Sequence, residues 1–272
     1  MGIAVKALPV QLLCCVDCKN LNFNMRAGFW RNKCVHRIAL LVVSPIFAQK
    51  LDCDALIKQS PYPVSSTTTQ VIITVPEARR SSQATVAACE LGEDGHWRIP
   101  SKGYDSFAAI VGTAGVAAPG TKVEGDNKTP AGLFYIGEAF GYYPLALSAI
   151  PDLKMDYRYI IHKQLPNGQE LDKFIDDSTS PENNYNSWMI GETTAKSYEN
   201  MWRPDFLYEY GAIVNYNMDP AVPGKGSAIF LHIWGENKTS TAGCIALKKP
   251  DLLKLLSWLD KTKQPQILVK YK

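Results

Sequence analysis

The sequence predicts one mainly β domain that extends from about residue 68 to residue 272. Short runs rich in β-branched and aromatic residues alternate with strong turn signals, which is typical of successive strands. Helical candidates are few, and the chain shows neither an internal repeat nor a regular alternation of strands and helices. These observations argue against a doubly wound nucleotide-binding fold.

Five segments are predicted to be strands, in chain order 71–75, 85–91, 133–136, 212–216 and 228–233. The segment Gly92-Glu-Asp-Gly95 is a predicted hairpin, and Pro119-Gly120 and Pro166-Asn-Gly168 mark loops. The polar stretch 152–198 separates two of the strands. Its length predicts either a lid over a cleft or a long surface excursion.

The clearest helix begins near Pro250-Asp251 and runs to Leu259, because proline and an early acidic residue both favour a helix start. Its leucines form an apolar stripe that should pack on the sheet. The segment 266–271 then reads as a closing strand. At the other end, a short helix around 52–58 and a Pro- and Ser/Thr-rich run predict that residues 49–67 form a lead-in to the domain.

Residues 1–48 have the order of parts found in a signal peptide. Four basic residues precede the apolar run 38–43, which is too short for a membrane span of roughly 20 residues, and we expect cleavage after Ala48. Met25 would give an ordinary signal-peptide length and is a second candidate for the true start. A retained anchor is the alternative; the signal peptide predicts an exported protein of the periplasm or cell envelope, without a membrane span in its mature form.

The seven cysteines fall into two groups. Cys14, Cys15, Cys18 and Cys34 lie in the predicted signal region, where no second compact pair of ligands completes a zinc site. Of the other three, Cys53 and Cys89 are either a disulfide of an oxidising compartment or two buried thiols. In both cases Cys244 is left unpaired.

The formal net charge of +3 does not indicate a nucleic-acid partner. Residues 1–48 hold six Lys/Arg and one acidic residue, so the remainder carries 23 bases and 25 acids, a net charge of −2. A phosphate-binding domain usually has a concentrated basic patch instead. We therefore expect no nucleic-acid partner.

The strongest chemical signal is His232 followed, after a turn-rich connection, by Ser240-Thr-Ala-Gly-Cys-Ile245. Strand alternation places Ile229, Leu231 and Ile233 on one face and Phe230, His232 and Trp234 on the other. A histidine in such a strand is often an ordinary core residue. A thiol brought beside it, however, would acquire a base, and the small Gly243 would allow backbone amides to face an oxyanion.

These residues resemble the active-site signature of the YkuD-type L,D-transpeptidase catalytic domain. A second stretch, Lys122-Val-Glu-Gly-Asp-Asn-Lys-Thr-Pro-Ala-Gly-Leu-Phe134, is similar to the N-terminal half of that family. The two matches occur in the family's order, and the resemblance covers about residues 68–271. It implies a mainly β sandwich or barrel with a few peripheral helices, one of them after the catalytic cysteine.

The resemblance implies a catalytic domain at residues 68–272 that acts on peptidoglycan stem peptides without a metal or organic cofactor. Cys244 would be the acyl acceptor, His232 the base, and Gly243 with Cys244 the source of oxyanion donors. Thr241, Trp234 and Lys128 are the predicted substrate-binding residues. This predicts an exported enzyme that cross-links or remodels the cell wall.

The chain departs from the family pattern at two positions near the nucleophile. Ala242 stands where histidine is common, and Ala246 stands where arginine frequently follows Gly-Cys-Ile. An arginine there could hold a substrate carboxylate through two hydrogen bonds. Lys128 and Lys238 are candidates to replace it, although each is also typical of a solvated loop lysine.

Three functions remain open at the level of sequence. The acceptor of the acyl group is an amine in a transpeptidase and water in a peptidoglycan L,D-carboxypeptidase or hydrolase on the same fold. The third possibility is a catalytically inactive wall-binding domain, in which His232 and Cys244 are structural. The oligomeric state is not predicted.

Overall fold

The computed structural model describes residues 51–272. Within this range the chain forms fifteen β-strands, two α-helices, and two short 3-10 helices at Leu145–Leu147 and Lys261–Lys263. The strands are β1 (Gln70–Pro76), β2 (Gln83–Leu91), β3 (Trp97–Arg98), β4 (Phe107–Ile110), β5 (Val116–Ala117), β6 (Thr129–Pro130), β7 (Gly132–Gly141), β8 (Tyr157–Tyr159), β9 (Asp172–Ile175), β10 (Ser187–Ile190), β11 (Tyr198–Asn200), β12 (Tyr210–Val214), β13 (Phe230–Ile233), β14 (Ile245–Leu247) and β15 (Gln266–Val269). The helices are α1 (Cys53–Lys58) and α2 (Lys249–Trp258).

Eight strands close into a barrel-like sheet. They pair in the order β1, β15, β7, β12, β13, β14, β4 and β2, and antiparallel pairing of β2 with β1 completes the ring. Closure leaves no free edge among these eight strands. The prediction of a mainly β sandwich or barrel with few helices is confirmed.

The strands predicted from alternation are all present, with shifted ends. The one predicted at 228–233 begins at Phe230 because Ala228 has φ +50°, which a strand does not accommodate. Its faces divide as expected: Leu231 and Ile233 join the main core, and Phe230 joins a second apolar cluster on the opposite face. His232 lies on that second face.

Helix α2 follows β14 directly, as the sequence predicts. Pro250 lies in its first turn, and its buried residues Leu252, Leu255 and Leu256 pack in the main core. No helix within residues 51–272 is long and apolar enough to cross a membrane. The predicted signal peptide, the alternative start at Met25 and the cysteines at 14, 15, 18 and 34 lie outside the described residues.

The segment before β1 is fixed to the sheet. Cys53 of α1 forms a disulfide with Cys89 of β2, and Ile57 packs with Val71 and Leu268 in a third apolar cluster. The disulfide resolves the alternative that the sequence left open for these two cysteines.

The polar excursion folds into a separate three-stranded sheet, with β9 between β10 and β11. Phe174 of β9 makes edge contacts with Trp188 of β10 and with Phe230 of β13. This small sheet therefore packs against the barrel face that carries Phe230 and His232. Its strands have only three or four residues each, too few for alternation to reveal them.

Candidate active site

The parallel pairing of β13 with β14 brings His232 and Cys244 to one region of the barrel wall. His232 is the register partner of Ala246, and Leu231 is the partner of Ile245. Cys244 directly precedes Ile245, so it lies beside Phe230 and diagonally from His232. Diagonal neighbours on one face of a sheet have side chains within reach of each other.

A threonine hydroxyl fixes the turn that leads into the cysteine. Thr241 Oγ1 accepts a hydrogen bond from Gly243 N at 3.1 Å and donates one to the carbonyl of Cys244 at 2.7 Å. The backbone of Thr241 also forms a parallel bridge with Gly112. The N–H of Gly243, which is a predicted oxyanion donor, is therefore already hydrogen-bonded to the hydroxyl of Thr241.

Only glycine fits at position 243. Its φ is +155°, which side chains rarely adopt, and an added Cβ would lie 3.0 Å from the carbonyl oxygen of Lys128. The backbone of Lys128 thus supports the turn that leads into Cys244. The sequence predicts a small residue here because backbone amides must face an oxyanion. The structure adds a second reason, which is the close approach of the Lys128 backbone.

The thiol of Cys244 is held by the backbone of the segment before β13. Phe230 N donates to Sγ at 3.4 Å, and Sγ lies 3.2 Å from the carbonyl oxygen of Ala228, to which it donates. Burial raises the pKa of the Cys244 thiol to about 12. The resting group is therefore a neutral thiol, and its hydrogen bond goes to the carbonyl of Ala228 rather than to the imidazole.

Asn186 fixes the position of Ala228. This buried side chain accepts a hydrogen bond from Ala228 N at 3.0 Å and donates to the carbonyls of Tyr216 and Asn217. Asn186 directly precedes β10, so the small three-stranded sheet helps to set the direction of the Ala228 carbonyl, which accepts the hydrogen bond of the thiol. A residue in a strained conformation beside a candidate nucleophile must be held by its surroundings in this way.

His232 has the tautomer that a general base requires. Its Nδ1 lies 2.8 Å from the carbonyl oxygen of Ile233, and because a carbonyl can only accept, Nδ1 carries the proton. The other ring nitrogen, Nε2, is then unprotonated. Burial lowers the pKa of His232 to about 4, so the ring is neutral at neutral pH.

Tyr208 packs edge-on against the His232 ring, with centroids 5.4 Å apart. Its hydroxyl donates to Glu199 Oε2 at 3.1 Å. Burial raises the pKa of Tyr208 well above its usual value, so the phenol stays protonated and remains a donor. Tyr208 thus limits the rotation of the imidazole and connects it to charged groups nearby.

Cys244 and His232 both line one cavity of about 370 Å³. Thr241, Gly243 and Ala246 also line it. Its charged lining residues have both signs and are Lys122, Glu124, Asp176, Glu199, Arg203 and Lys238. The small sheet supplies Asp176 at the end of β9 and Glu199 in β11, so it forms one wall of the cavity.

Two of the predicted substrate-binding residues lie elsewhere. Trp234 lines a neighbouring cavity of about 920 Å³ and donates from Nε1 to the carbonyl of Lys238 at 2.6 Å. Lys128 is not among the residues that line the Cys244 cavity, and its backbone contacts Gly243 instead. Lys238 lines both cavities.

Sequence reasoning missed Arg203 and Tyr208. Both belong to the run Trp202-Arg-Pro-Asp-Phe-Leu-Tyr208, which carries no periodic pattern and no familiar motif. The spacing of Arg203 and Asp205 was the available signal, because it suits an arginine fixed by a local carboxylate. Among residues 51–272 no three His, Cys, Asp or Glu side chains are grouped to hold a metal ion.

Two solved structures are similar to the chain at low identity. The helical cell shape determining protein Pgp2 from Campylobacter jejuni is 16% identical over 75% of this chain and 49% of that one, with a TM-score of 0.36. Bd1075 from Bdellovibrio bacteriovorus is 14% identical over 75% and 48%, with a TM-score of 0.35. The chain spans about half the length of these two structures.

A comparison with curated proteins gives no match. The YkuD family, described as the L,D-transpeptidase catalytic domain, matches residues 81–268, which is more than half of the chain. The matched range includes His232, the turn that leads into Cys244 and the charged residues that line the cavity. The chain therefore belongs to the YkuD family of L,D-transpeptidase catalytic domains.

Proposed function

We propose that this protein is an exported cysteine L,D-transpeptidase that acts on peptidoglycan stem peptides through a thioester. The observation that carries the proposal is the shared cavity of Cys244 and His232, with the proton of the imidazole on Nδ1 and Nε2 left as a base. Membership of the family supplies the substrate class.

In the acylation step Sγ of Cys244 attacks the carbonyl carbon of an L-centre in the donor tetrapeptide. The thiol proton passes to Nε2 of His232, and the peptide bond to the terminal D-alanine breaks as its nitrogen takes that proton. The products are a thioester on Cys244 and free D-alanine.

In the second step an acceptor amine attacks the thioester and loses a proton to Nε2. A new peptide bond forms and the thiol is regenerated. If water takes the place of the amine, the same site acts as a carboxypeptidase. The acceptor therefore decides between the two activities.

The raised pKa of Cys244 and the lowered pKa of His232 indicate how the pair works. Both groups are neutral at pH 7 in the substrate-free site. The thiolate is therefore formed during the attack, by transfer of the proton to Nε2, rather than stored beforehand as an ion pair. The thiol must also turn from the carbonyl of Ala228 towards the imidazole.

Export is part of the proposal. The Cys53–Cys89 disulfide supports it, because disulfides persist in oxidising compartments such as the periplasm. The signal-like pattern of residues 1–48 supports it independently. Sequencing the N-terminus of the secreted protein tests the expected cleavage after Ala48.

The test of function is incubation of the secreted protein with purified muropeptides, followed by mass spectrometry. We expect cross-linked product from the wild type and none from Cys244→Ala. His232→Asn keeps an N–H donor near the Ile233 carbonyl and removes the base, so it should be slower by about 10²- to 10⁴-fold.

Other outcomes identify the alternatives. Loss of terminal alanine without cross-linking means that the acceptor is water. A bound but unchanged muropeptide favours the inactive wall-binding domain. Equal activity of the wild type and Cys244→Ala would exclude Cys244 as the nucleophile.

A further inference from the structure

Arg203 lines the Cys244 cavity and is held in one orientation. Its Nε and Nη2 donate to the two oxygens of Asp205 at 3.0 and 2.8 Å, and Nη1 donates to Glu199 Oε2 at 3.4 Å. The guanidinium carbon lies 5.2 Å from the centre of the Tyr208 ring. These contacts fix the plane of the guanidinium before any substrate arrives.

The guanidinium still has free donors. An arginine has five N–H groups, of which Asp205 takes two and Glu199 takes one. The other two have no acceptor within the described residues. Arg203 lines the cavity and its side chain is 32% exposed, so the guanidinium is only partly screened by solvent.

The other cations of the cavity are less suitable for binding an anion. Lys122 is buried and donates to Asp126 Oδ1 at 2.7 Å and to the carbonyl of Val123 at 2.8 Å. Lys238 is exposed and makes no ion pair within residues 51–272, so it is a flexible point charge. Arg203 alone combines a fixed plane with unused donors.

Arg203 and Ala246 line the same cavity. Ala246 is the register partner of His232 and lines the same cavity, so a long side chain there would lie beside the base. Alanine supplies no positive charge at this position. Arg203, which enters from the segment before β12, is near enough to oppose protonation of His232 and to favour the thiolate of Cys244.

The carboxylates around Arg203 do not preclude an anionic ligand. Asp205 contacts one edge of the guanidinium, and Glu199 Oε2 is shared with the hydroxyl of Tyr208. Burial, together with Glu199 and Glu124, raises the pKa of Asp176 and so favours its neutral form. The repulsion that an incoming carboxylate meets from the wall is reduced accordingly.

We propose that Arg203 binds a free carboxylate of the donor peptide through its two unused N–H groups, in place of an arginine at position 246. Asp205 orients the guanidinium, and the bound carboxylate places the scissile carbonyl between Cys244 and His232. The inference rests on the proposed function, because it assigns a donor group to that same site. The carboxylate is either the terminal one or one on a side chain of the donor.

The test combines protein variants with modified donors. Wild type, Arg203→Gln and Arg203→Lys are assayed with a synthetic stem tetrapeptide and with analogues in which each free carboxylate is amidated in turn. Arg80→Gln is the matched control, because it removes an exposed arginine that makes no ion pair within residues 51–272 and lines neither cavity. Thermal unfolding of every variant identifies loss of folding.

For the unmodified donor we expect Arg203→Gln to lower kcat/KM about 30-fold, mainly by raising KM, since a charge-assisted pair is strong and directional. Arg203→Lys should recover part of the loss, and Arg80→Gln should change kcat/KM less than about threefold. Amidation of the recognised carboxylate should cost the wild type about as much as the arginine variant. With that amidated donor, Arg203→Gln should cause no further loss of kcat/KM. The amidated position that gives this result identifies the carboxylate that Arg203 binds.

Equal losses with Arg203→Gln on all donors would overturn the inference, because they indicate a purely structural role. No loss would overturn it as well. Binding of the same peptides to Cys244→Ala, with and without Arg203→Gln, separates this result from the proposed function. If peptide affinity depends on Arg203 but the wild type shows no turnover, the transpeptidase is rejected and the carboxylate site is retained. If the wild type shows turnover and the effects of Arg203→Gln and of amidation are additive, the carboxylate site is rejected and the transpeptidase is retained.

Discussion

Two regions on the outside of the barrel-like sheet use cysteine in opposite ways. Cys53 and Cys89 lie in a closed apolar cluster and are joined in a disulfide, whereas Cys244 is free among the described residues and borders a cavity. Burial does not separate the two cases, since the exposed fractions are 3%, 0% and 8%. The difference lies in what each sulfur meets: another sulfur in one region, and a backbone carbonyl with a base nearby in the other.

This contrast indicates how one domain can hold a structural disulfide and still keep a free thiol beside a cavity. The disulfide fastens α1 to β2 on the outer side of the sheet, opposite the main core. Cys244 is shielded by the small three-stranded sheet and by the turn that Thr241 fixes. Stability and chemistry can therefore be altered separately, which gives three predictions.

The largest expected effect is on stability, from removal of the disulfide. Replacing Cys53 and Cys89 together by alanine should lower the free energy of unfolding by about 4 kcal/mol, the loop-closure contribution for a bridge between residues 36 apart. Urea unfolding measures the change. The kcat of the folded double variant should match the wild type, because neither sulfur contacts the Cys244 cavity.

Cys244→Ala is the matched control for this prediction, since it also removes a buried sulfur but breaks no cross-link. A reducing agent should destabilise the wild type and Cys244→Ala while leaving the double variant unchanged. If all three proteins lost the same stability on reduction, the bridge would not be the source of the difference between the two regions.

The second prediction concerns acid stability and follows from His232. Burial lowers its pKa from the usual 6.5 to about 4, with Arg203 opposing protonation and Asp205 favouring it. In this pH range the unfolded chain therefore binds a proton at residue 232 that the folded protein does not bind. The free energy of unfolding consequently decreases as the pH falls from about 6.5 towards 4. The titration of His232 lowers the free energy of unfolding by up to about 3 kcal/mol, since a shift of one pKa unit corresponds to roughly 1.4 kcal/mol.

Urea unfolding between pH 7 and pH 4 tests this for wild type and His232→Asn. The variant lacks the titrating ring, so its stability should fall less steeply over this range. Parallel pH profiles of the two proteins would contradict the assignment of a buried neutral histidine to the cavity.

The sequence was sufficient to predict the parts of the fold that have local signals. Alternation in β13, the leucine spacing of α2 and the pairing of His232 with the Gly243-Cys244 turn could all be read from neighbouring residues. The disulfide remained open, because a pairing of residues 53 and 89 depends on how α1 packs on β2. Sequence alone does not specify that contact.

The parts of the structure that could not be predicted depend on contacts between residues that are far apart in the sequence. Strands β9 to β11 have only three or four residues each, and Phe174 becomes a core residue only when this small sheet packs on Phe230. Arg203 reaches the cavity because the chain returns past it before β12. The direction of the thiol, towards Ala228 rather than His232, follows from backbone positions that Asn186 sets from a distant part of the chain.

The smallest expected effect tests what holds the turn that leads into Cys244. Thr241→Val removes one hydroxyl at nearly constant volume and with it the bonds to Gly243 N and to the carbonyl of Cys244. We expect the free energy of unfolding to fall by about 1 kcal/mol, because the Cys244 carbonyl retains Thr129 Oγ1 at 3.5 Å. The rate of peptide transfer should fall about tenfold, since the thiol is then held less firmly.

Thr241→Ser should restore both quantities, because it keeps the hydroxyl. Thr239→Val is the control: Thr239 is exposed two residues earlier, and its side chain makes no hydrogen bond within the described residues. Equal rates for Thr241→Val and Thr239→Val would mean that the backbone alone orders the turn. A faster Thr241→Val would mean instead that the N–H of Gly243, freed from the hydroxyl, serves the oxyanion better than it did before, and the hydroxyl would then restrain the site rather than support it.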